Sequence, residues 1–101
     1  MFGFLFGKNK IKEALKSGAV IIDVRTPQEF DLGKVPGSIN IPVDRISTNV
    51  ARIKGFKKPV IVCCASGMRS ATAKNILKST GLNEVINGGS WETVLKAIQK
   101  L

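Results

Sequence analysis

Histidine is absent from the 101-residue chain. Its absence removes Cys-His nucleophile pairs, His-ligated zinc and histidine general bases in one step. Cysteine is almost as scarce, with Cys63 and Cys64 the only two, and they are adjacent. Neighbouring side chains of an extended strand point to opposite faces, so the two are poorly placed to bridge each other, and a disulfide scaffold is excluded. Two thiols alone make a poor metal site, and neither a metal nor a cofactor is expected. Acidic residues are few, seven against sixteen Lys and Arg. The net charge of +9 concentrates anions at the surface, whether nucleic acid, acidic proteins or small oxyanions. Lys8, Lys10, Lys12, Lys16, Lys74, Lys78, Lys96 and Lys100, however, read as solvated helix faces and ends, so no nucleic-acid partner is expected. No long apolar run occurs either. The apolar start, Met1 to Gly7, is too short to span a bilayer and has no basic stretch before it, so stable membrane insertion is not expected and the cytoplasm is the default home. This segment is expected to pack onto the domain or to begin its first strand, residues 1–9 forming a lead-in.

What is present is the composition of a globular chain, 44% hydrophobic and 23% charged, of a length that suits one domain spanning 1–101, expected as a monomer. Ile11, Ala14 and Leu15 fall at helical spacing ahead of Gly18, and Ala19-Val20-Ile21-Ile22 is an apolar run of the kind found in strands buried on both faces. Thr26 can cap a short helix, with Pro27 at its first position and Glu29 completing a capping box. Ile39-Asn40-Ile41 reads as a brief strand stopped by Pro42, and Val43, Ile46, Val50 and Ile53 then repeat at helical spacing up to Gly55. Val60-Ile61-Val62-Cys63-Cys64 is the strongest strand. Ala73, Ile76 and Leu77 mark the next helix, Glu84 to Asn87 another strand, Gly88-Gly89 a turn, and Ser90 caps a final helix carrying Trp91, Val94, Leu95 and Ile98. Strands alternating with amphipathic helices predict an α/β domain with a mainly parallel sheet covered on both faces.

Active sites of such sheets lie outside the carboxyl ends of the strands. Cys64 stands there, followed by Ala65-Ser66-Gly67-Met68-Arg69-Ser70. Backbone N–H groups of a tight glycine-containing loop can form an anion-binding nest, and the helix N-terminus behind it adds partial positive charge. Both favour a thiolate and lower the cysteine pKa. Arg69 adds a full charge, and Ser70 is expected to cap the helix or to donate to a bound anion. The bland alternative is that Cys64 merely ends a strand as a small buried hydrophobe.

Four ordered elements resemble the rhodanese-like domains, and the resemblance runs over nearly the whole chain, from Ile21 to Trp91. The first is Asp23-Val24-Arg25 with Glu29-Phe30. The second is Gly33-Lys34-Val35-Pro36-Gly37-Ser38, followed by Asn40, Ile41 and Pro42. The third is Cys64-Ala65-Ser66-Gly67-Met68-Arg69-Ser70, which matches the family's active loop, and the fourth is Asn87-Gly88-Gly89 with Trp91. The resemblance implies a parallel five-stranded sheet with helices on both sides, and a sulfurtransferase in which Cys64 is the catalytic nucleophile and becomes a persulfide. It also implies a small anionic sulfur donor such as thiosulfate, a cyanide or thiol acceptor, or a protein that gives or receives the sulfur. Ala65, Ser66, Gly67, Met68 and Arg69 would bind substrate, with Asp23, Arg25 and Ser70 in support. Lys34 and Ser38 depart from the family's usual histidine and alanine, and the interval between Gly89 and Trp91 is short.

The enclosed loop of four residues between Cys64 and Arg69 disfavours a phosphatase or arsenate reductase, whose Cys-x5-Arg loop leaves room for a tetrahedral phosphoryl group. The alternative from another class is a sulfur-carrier or protein-binding module without independent turnover. Arg25 is expected to pair with Glu29 and hold its loop, Trp91 to pack at the core or rim, and Cys63 to point away from Cys64.

Overall fold

The computed structural model describes the backbone of residues 2–101 and the side chains of residues 9–101. Four short parallel strands form its centre: β1 (Val20–Asp23), β2 (Ile39–Asn40), β3 (Val60–Cys64) and β4 (Val85–Ser90), in the order β2-β1-β3-β4. β1 and β3 are the apolar, β-branched runs suited to a pleated surface buried on both sides, while β2 and β4 are poorer in apolar residues and half-buried. Every residue of β3 is buried, as its continuous run predicts.

Side-chain alternation divides the core in two. Ile22, Val60, Val62, Cys64 and Val85 face α3 (Val50–Gly55) and α4 (Met68–Ser79), where they meet Ile53, Ala73 and Leu77. Ile21, Ile61 and Cys63 face the other way, onto Ile11 and Ala14 of α1 (Phe2–Lys16) and Val94 of α5 (Trp91–Gln99). Burying each large aliphatic side chain of these two layers is worth about 1.5–3 kcal/mol. The helices thus cover both faces. A fifth helix sits beside the strand ends: α2 (Pro27–Leu32) begins with the capping box predicted from Thr26 and Glu29. Ser90 caps α5 by accepting from the Thr93 N–H.

Several expectations are corrected. The sheet has four strands among the described residues, not five. The apolar start does not begin a strand: α1 extends back to Phe2. Phe2, Phe4 and Phe6 alternate as a strand would, but no β-branched residue precedes Ile11, and the helix set by Ile11, Ala14 and Leu15 propagates backward. How the side chains of residues 1–8 pack lies outside the described residues. The helical spacing from Val43 to Ile53 is broken into two 3-10 turns, Val43–Arg45 and Ser47–Asn49, before α3. Thr48 Oγ1 and Asn49 Nδ2 both donate to the Arg45 carbonyl, at 3.0 and 2.8 Å, and so compete with the helical ladder. Gly88-Gly89 is no turn. β4 runs through it with a bulge, because Val62 pairs with Asn87 while Cys63 pairs with Gly89. Among the described residues no helix is long and apolar enough to cross a membrane.

Candidate active site

Cys64 is the last residue of β3, and the pleat sends its sulfur to the α4 side while Cys63 lies among the α1 and α5 side chains. Three loop residues join it to α4. Gly67 caps that helix in the left-handed conformation, φ +98°, with space for a Cβ limited by Gly89 Cα at 3.4 Å. Only glycine adopts this turn without strain. In it the Gly67 N–H donates to Cys64 Sγ at 2.9 Å. Ser70 does not cap the helix as expected. It sits fully buried in the first turn of α4, its Oγ 3.5 Å from Sγ. Ala65 and Ser66 are exposed, and Met68, the first residue of α4, stands 79% exposed.

Burial pushes the Cys64 pKa up, but the Ser70 hydroxyl and the backbone N–H groups of Ser70, Ser66 and Gly67 outweigh it and hold the thiol below its ordinary value. Cys63 behaves oppositely. Burial first, then the Asp23 carboxylate, push it up to about 12. Of two adjacent thiols, one is prepared to ionise and the other is not.

Asp23 and Arg25 are not brought to Cys64. Asp23 ends β1 in register with Cys63, so it occupies the opposite face of the sheet. Its fully buried carboxylate accepts from Arg25 Nε at 2.9 and 3.0 Å, from Nη2 at 2.7 Å and from the Arg25 backbone N–H at 3.0 Å. Arg25 also donates to the Gly33 carbonyl at 2.6 Å and to the Glu29 backbone carbonyl at 3.2 Å, and its guanidinium lies 5.0 Å from the centre of the Trp91 ring. The expected Arg25–Glu29 ion pair is therefore replaced by Arg25–Asp23. A buried carboxylate left unpaired costs far more than an exposed one, so the guanidinium serves Asp23. Trp91 packs against the α1 and α5 core, as expected.

The Glu29 carboxylate is taken instead by Arg69, whose Nη1 and Nη2 donate to it at 2.7 and 2.9 Å. This bidentate pair ties α2 to the first turn of α4 beside the cysteine loop. Arg69 first, then the Thr26 backbone N–H, lower the Glu29 pKa to about 2. With both of those donors held by Glu29, Arg69 stands beside the loop as a fixed charge.

Asn87 belongs to the fourth family-like element of the sequence, which assigns it no role. Its Oδ1 accepts from Ser70 Oγ at 2.6 Å and from the Gly89 N–H at 2.9 Å, while its Nδ2 donates to the Gly67 carbonyl at 3.1 Å. One side chain on β4 thus touches both the turn and the serine around the sulfur. The available signal was an asparagine preceding two glycines, a residue suited to bonding backbone nearby. A separate depression of about 550 Å³ opens beside α2, lined by residues including Thr26, Asn40, Arg45 and Arg52, and does not include Cys64.

A sulfur at the carboxyl end of a parallel strand, cradled by backbone N–H groups ahead of a helix, defines an α/β protein with a cysteine anion loop. The rhodanese-like domain model matches residues 8–96, and the chain belongs to that family. Thiosulfate sulfurtransferase PspE of Escherichia coli is 34% identical, over 72% of this chain and 71% of that protein. A Schizosaccharomyces pombe relative, provisionally named a mitochondrial thiosulfate sulfurtransferase, is 40% identical over 71% of this chain, which spans 60% of it. The solved structure of an E. coli rhodanese with anions superposes with a TM-score of 0.69 at 34% identity, covering 74% of this chain and 89% of that one.

Proposed function

We propose that this chain works as a single-domain sulfurtransferase that takes a sulfane sulfur from thiosulfate or a related donor onto Cys64 and passes it to cyanide or a thiol. The observation that carries the reading is the sulfur of Cys64 receiving the Gly67 N–H at 2.9 Å inside a loop that lowers its pKa. In the first half reaction the Cys64 thiolate attacks the outer sulfur of thiosulfate, the S–S bond breaks, and sulfite leaves with its electron pair. Sulfite is stable as an anion, so departure needs no general acid, and the lack of histidine is no obstacle. In the second, the acceptor attacks the outer sulfur of the persulfide and the Cys64 thiolate is restored.

The backbone from Ala65 to Arg69 serves as the nest for the donor's negative charge, with Arg69 as a nearby fixed cation. Met68, apolar and exposed where the loop enters α4, meets the donor first and influences which donor is taken. Asp23 and Arg25 support the site at a distance, by fixing the chain between β1 and α2. A cytoplasmic home and a monomeric state belong to the same reading. The relatives' names support the sulfurtransferase class.

The test is intact mass after incubation with thiosulfate under non-reducing conditions, comparing wild type with Cys64→Ser and Cys63→Ser. The expected result is a gain of one sulfur atom, removed by cyanide and missing only in Cys64→Ser. No adduct on the folded protein from thiosulfate, mercaptopyruvate, polysulfide or persulfide donors overturns the reading in favour of a binding module.

A further inference from the structure

Ser70 has one hydroxyl proton and two neighbours able to accept it. Its Oγ lies 2.6 Å from Asn87 Oδ1 and 3.5 Å from Cys64 Sγ. The orientation of the Asn87 amide is fixed independently of Ser70. Oδ1 faces the Gly89 N–H, which can only donate, and Nδ2 faces the Gly67 carbonyl, which can only accept. The atom presented to Ser70 is therefore an acceptor. While Cys64 is a thiol, a continuous chain satisfies every group: S–H to Oγ, then O–H to Oδ1.

Ionisation of Cys64 changes the demand. The thiolate has no proton to give and attracts one strongly, since hydrogen bonds to a charged acceptor exceed neutral ones. Ser70 is fully buried, and both of its possible acceptors are protein groups. If it turns toward sulfur, Oδ1 keeps the Gly89 N–H and is not orphaned. The Gly67 carbonyl is doubly served, by Asn87 and by the Ala71 N–H at 3.1 Å, so the loop does not depend on Asn87 alone.

We propose that Asn87 is a positioning residue that competes with Cys64 for the Ser70 hydroxyl proton and so sets how readily the nucleophile ionises. This deepens the sulfurtransferase reading and gives the site an adjustable element on a different strand from the cysteine. Asn87 touches no reacting atom. It acts through Ser70.

The experiment is thiolate absorbance against pH for wild type, Asn87→Ala, Ser70→Ala and the double variant, with Cys64→Ser as baseline. The chain has no tyrosine to add phenolate absorbance, and Cys63, at about 12, ionises well above the range read. The expected results are a Cys64 pKa lowered by roughly 0.5–1 unit in Asn87→Ala, raised by about 1 unit in Ser70→Ala, and left unmoved by Asn87→Ala once Ser70 is gone. An equal shift in both backgrounds overturns the proposal, because Asn87 would then act through the loop backbone. So does an absent or upward shift in the single variant. If circular dichroism shows Asn87→Ala unfolded, Asn87→Asp asks the same question with the opposite sign: its carboxylate holds the proton harder, and the upward shift must be greater with Ser70 than without it. No sulfur donor enters the titration. A protein that fails to load sulfur yet keeps this coupling refutes the transfer reading and leaves this one standing.

Discussion

Two adjacent glycines in β4 are required for different reasons, and substitution separates them. A Cβ at Gly88 would lie 2.7 Å from Val94 Cγ2, 2.8 Å from Ile61 Cγ2 and 3.3 Å from the Val62 carbonyl oxygen. Val94 and Ile61 are fully buried, and Val62 belongs to the central strand, so none can yield without disturbing the core. Overpacking of this kind costs about 1–3 kcal/mol. At roughly 4–8 °C per kcal/mol for a domain this size, Gly88→Ala should lower Tm by about 5–20 °C. At Gly89 nothing lies within 4 Å of the added Cβ, but φ is +77°, so alanine there costs about 1–2 kcal/mol of backbone strain instead. Val94→Ala removes the nearest obstructing methyl. It should therefore offset part of the Gly88→Ala loss, a coupling of about 1 kcal/mol in a double-mutant cycle, while adding independently to Gly89→Ala. Urea unfolding followed by the fluorescence of Trp91, the only tryptophan, measures all five variants. If Gly88→Ala matches wild type in stability, or combines additively with Val94→Ala, the packing argument is wrong.

Arg25→Ala leaves the Asp23 carboxylate buried without its ion-pair partner and should cost about 3–5 kcal/mol in urea unfolding, whereas a loss under about 1 kcal/mol would show Asp23 accommodated another way. Glu29→Gln breaks a pair more than a third exposed and should cost under about 1 kcal/mol. Because the Glu29 pKa is depressed from 4.5 to about 2, its contribution is intact above pH 4.5 and fades as pH falls toward 2; acid unfolding of the two proteins should differ above that window and converge within it. Cys63 has the opposite sign. Folding raises its pKa from 9.0 to about 12, so the stability of its neutral form is complete below pH 9 and is lost above it, by up to about 1.4 kcal/mol per pH unit. Cys63→Ala should flatten that alkaline slope, and an unchanged slope would assign it to other groups.

The features legible in the sequence are those with local causes. The capping box of Thr26 and Glu29, the cap at Ser90, the buried run from Val60 to Cys64 and the loop after it each depend on residues a few positions apart. The misreadings share a different origin. Arg25 has acidic neighbours at positions 23 and 29, and the choice between them turned on which carboxylate the sheet buries and which one Arg69, forty positions away, can reach. The broken helix from 43 to 55 has the right apolar spacing, and only the side-chain bonds of Thr48 and Asn49 to the Arg45 carbonyl reveal the interruption. The role of Asn87 depends on the register between β3 and β4 and on the bulge at Gly88, neither of which a single strand's pattern contains. The fifth strand rests on the family resemblance and on one of two readings of the apolar start, a segment that α1 occupies instead.

The sheet that lies between Cys63 and Cys64 also settles how an oxidised Cys64 can be repaired. Repair by an internal resolving thiol requires a second sulfur that can approach the first, and here the only other one lies among the side chains of the opposite face and keeps its proton. A sulfenic acid or mixed disulfide formed on Cys64 therefore has no partner within the chain. Recovery must come from a reductant outside the chain. A single hydrogen-peroxide pulse should thus leave a modified Cys64 that persists until thiol is added, with no intramolecular disulfide at any stage.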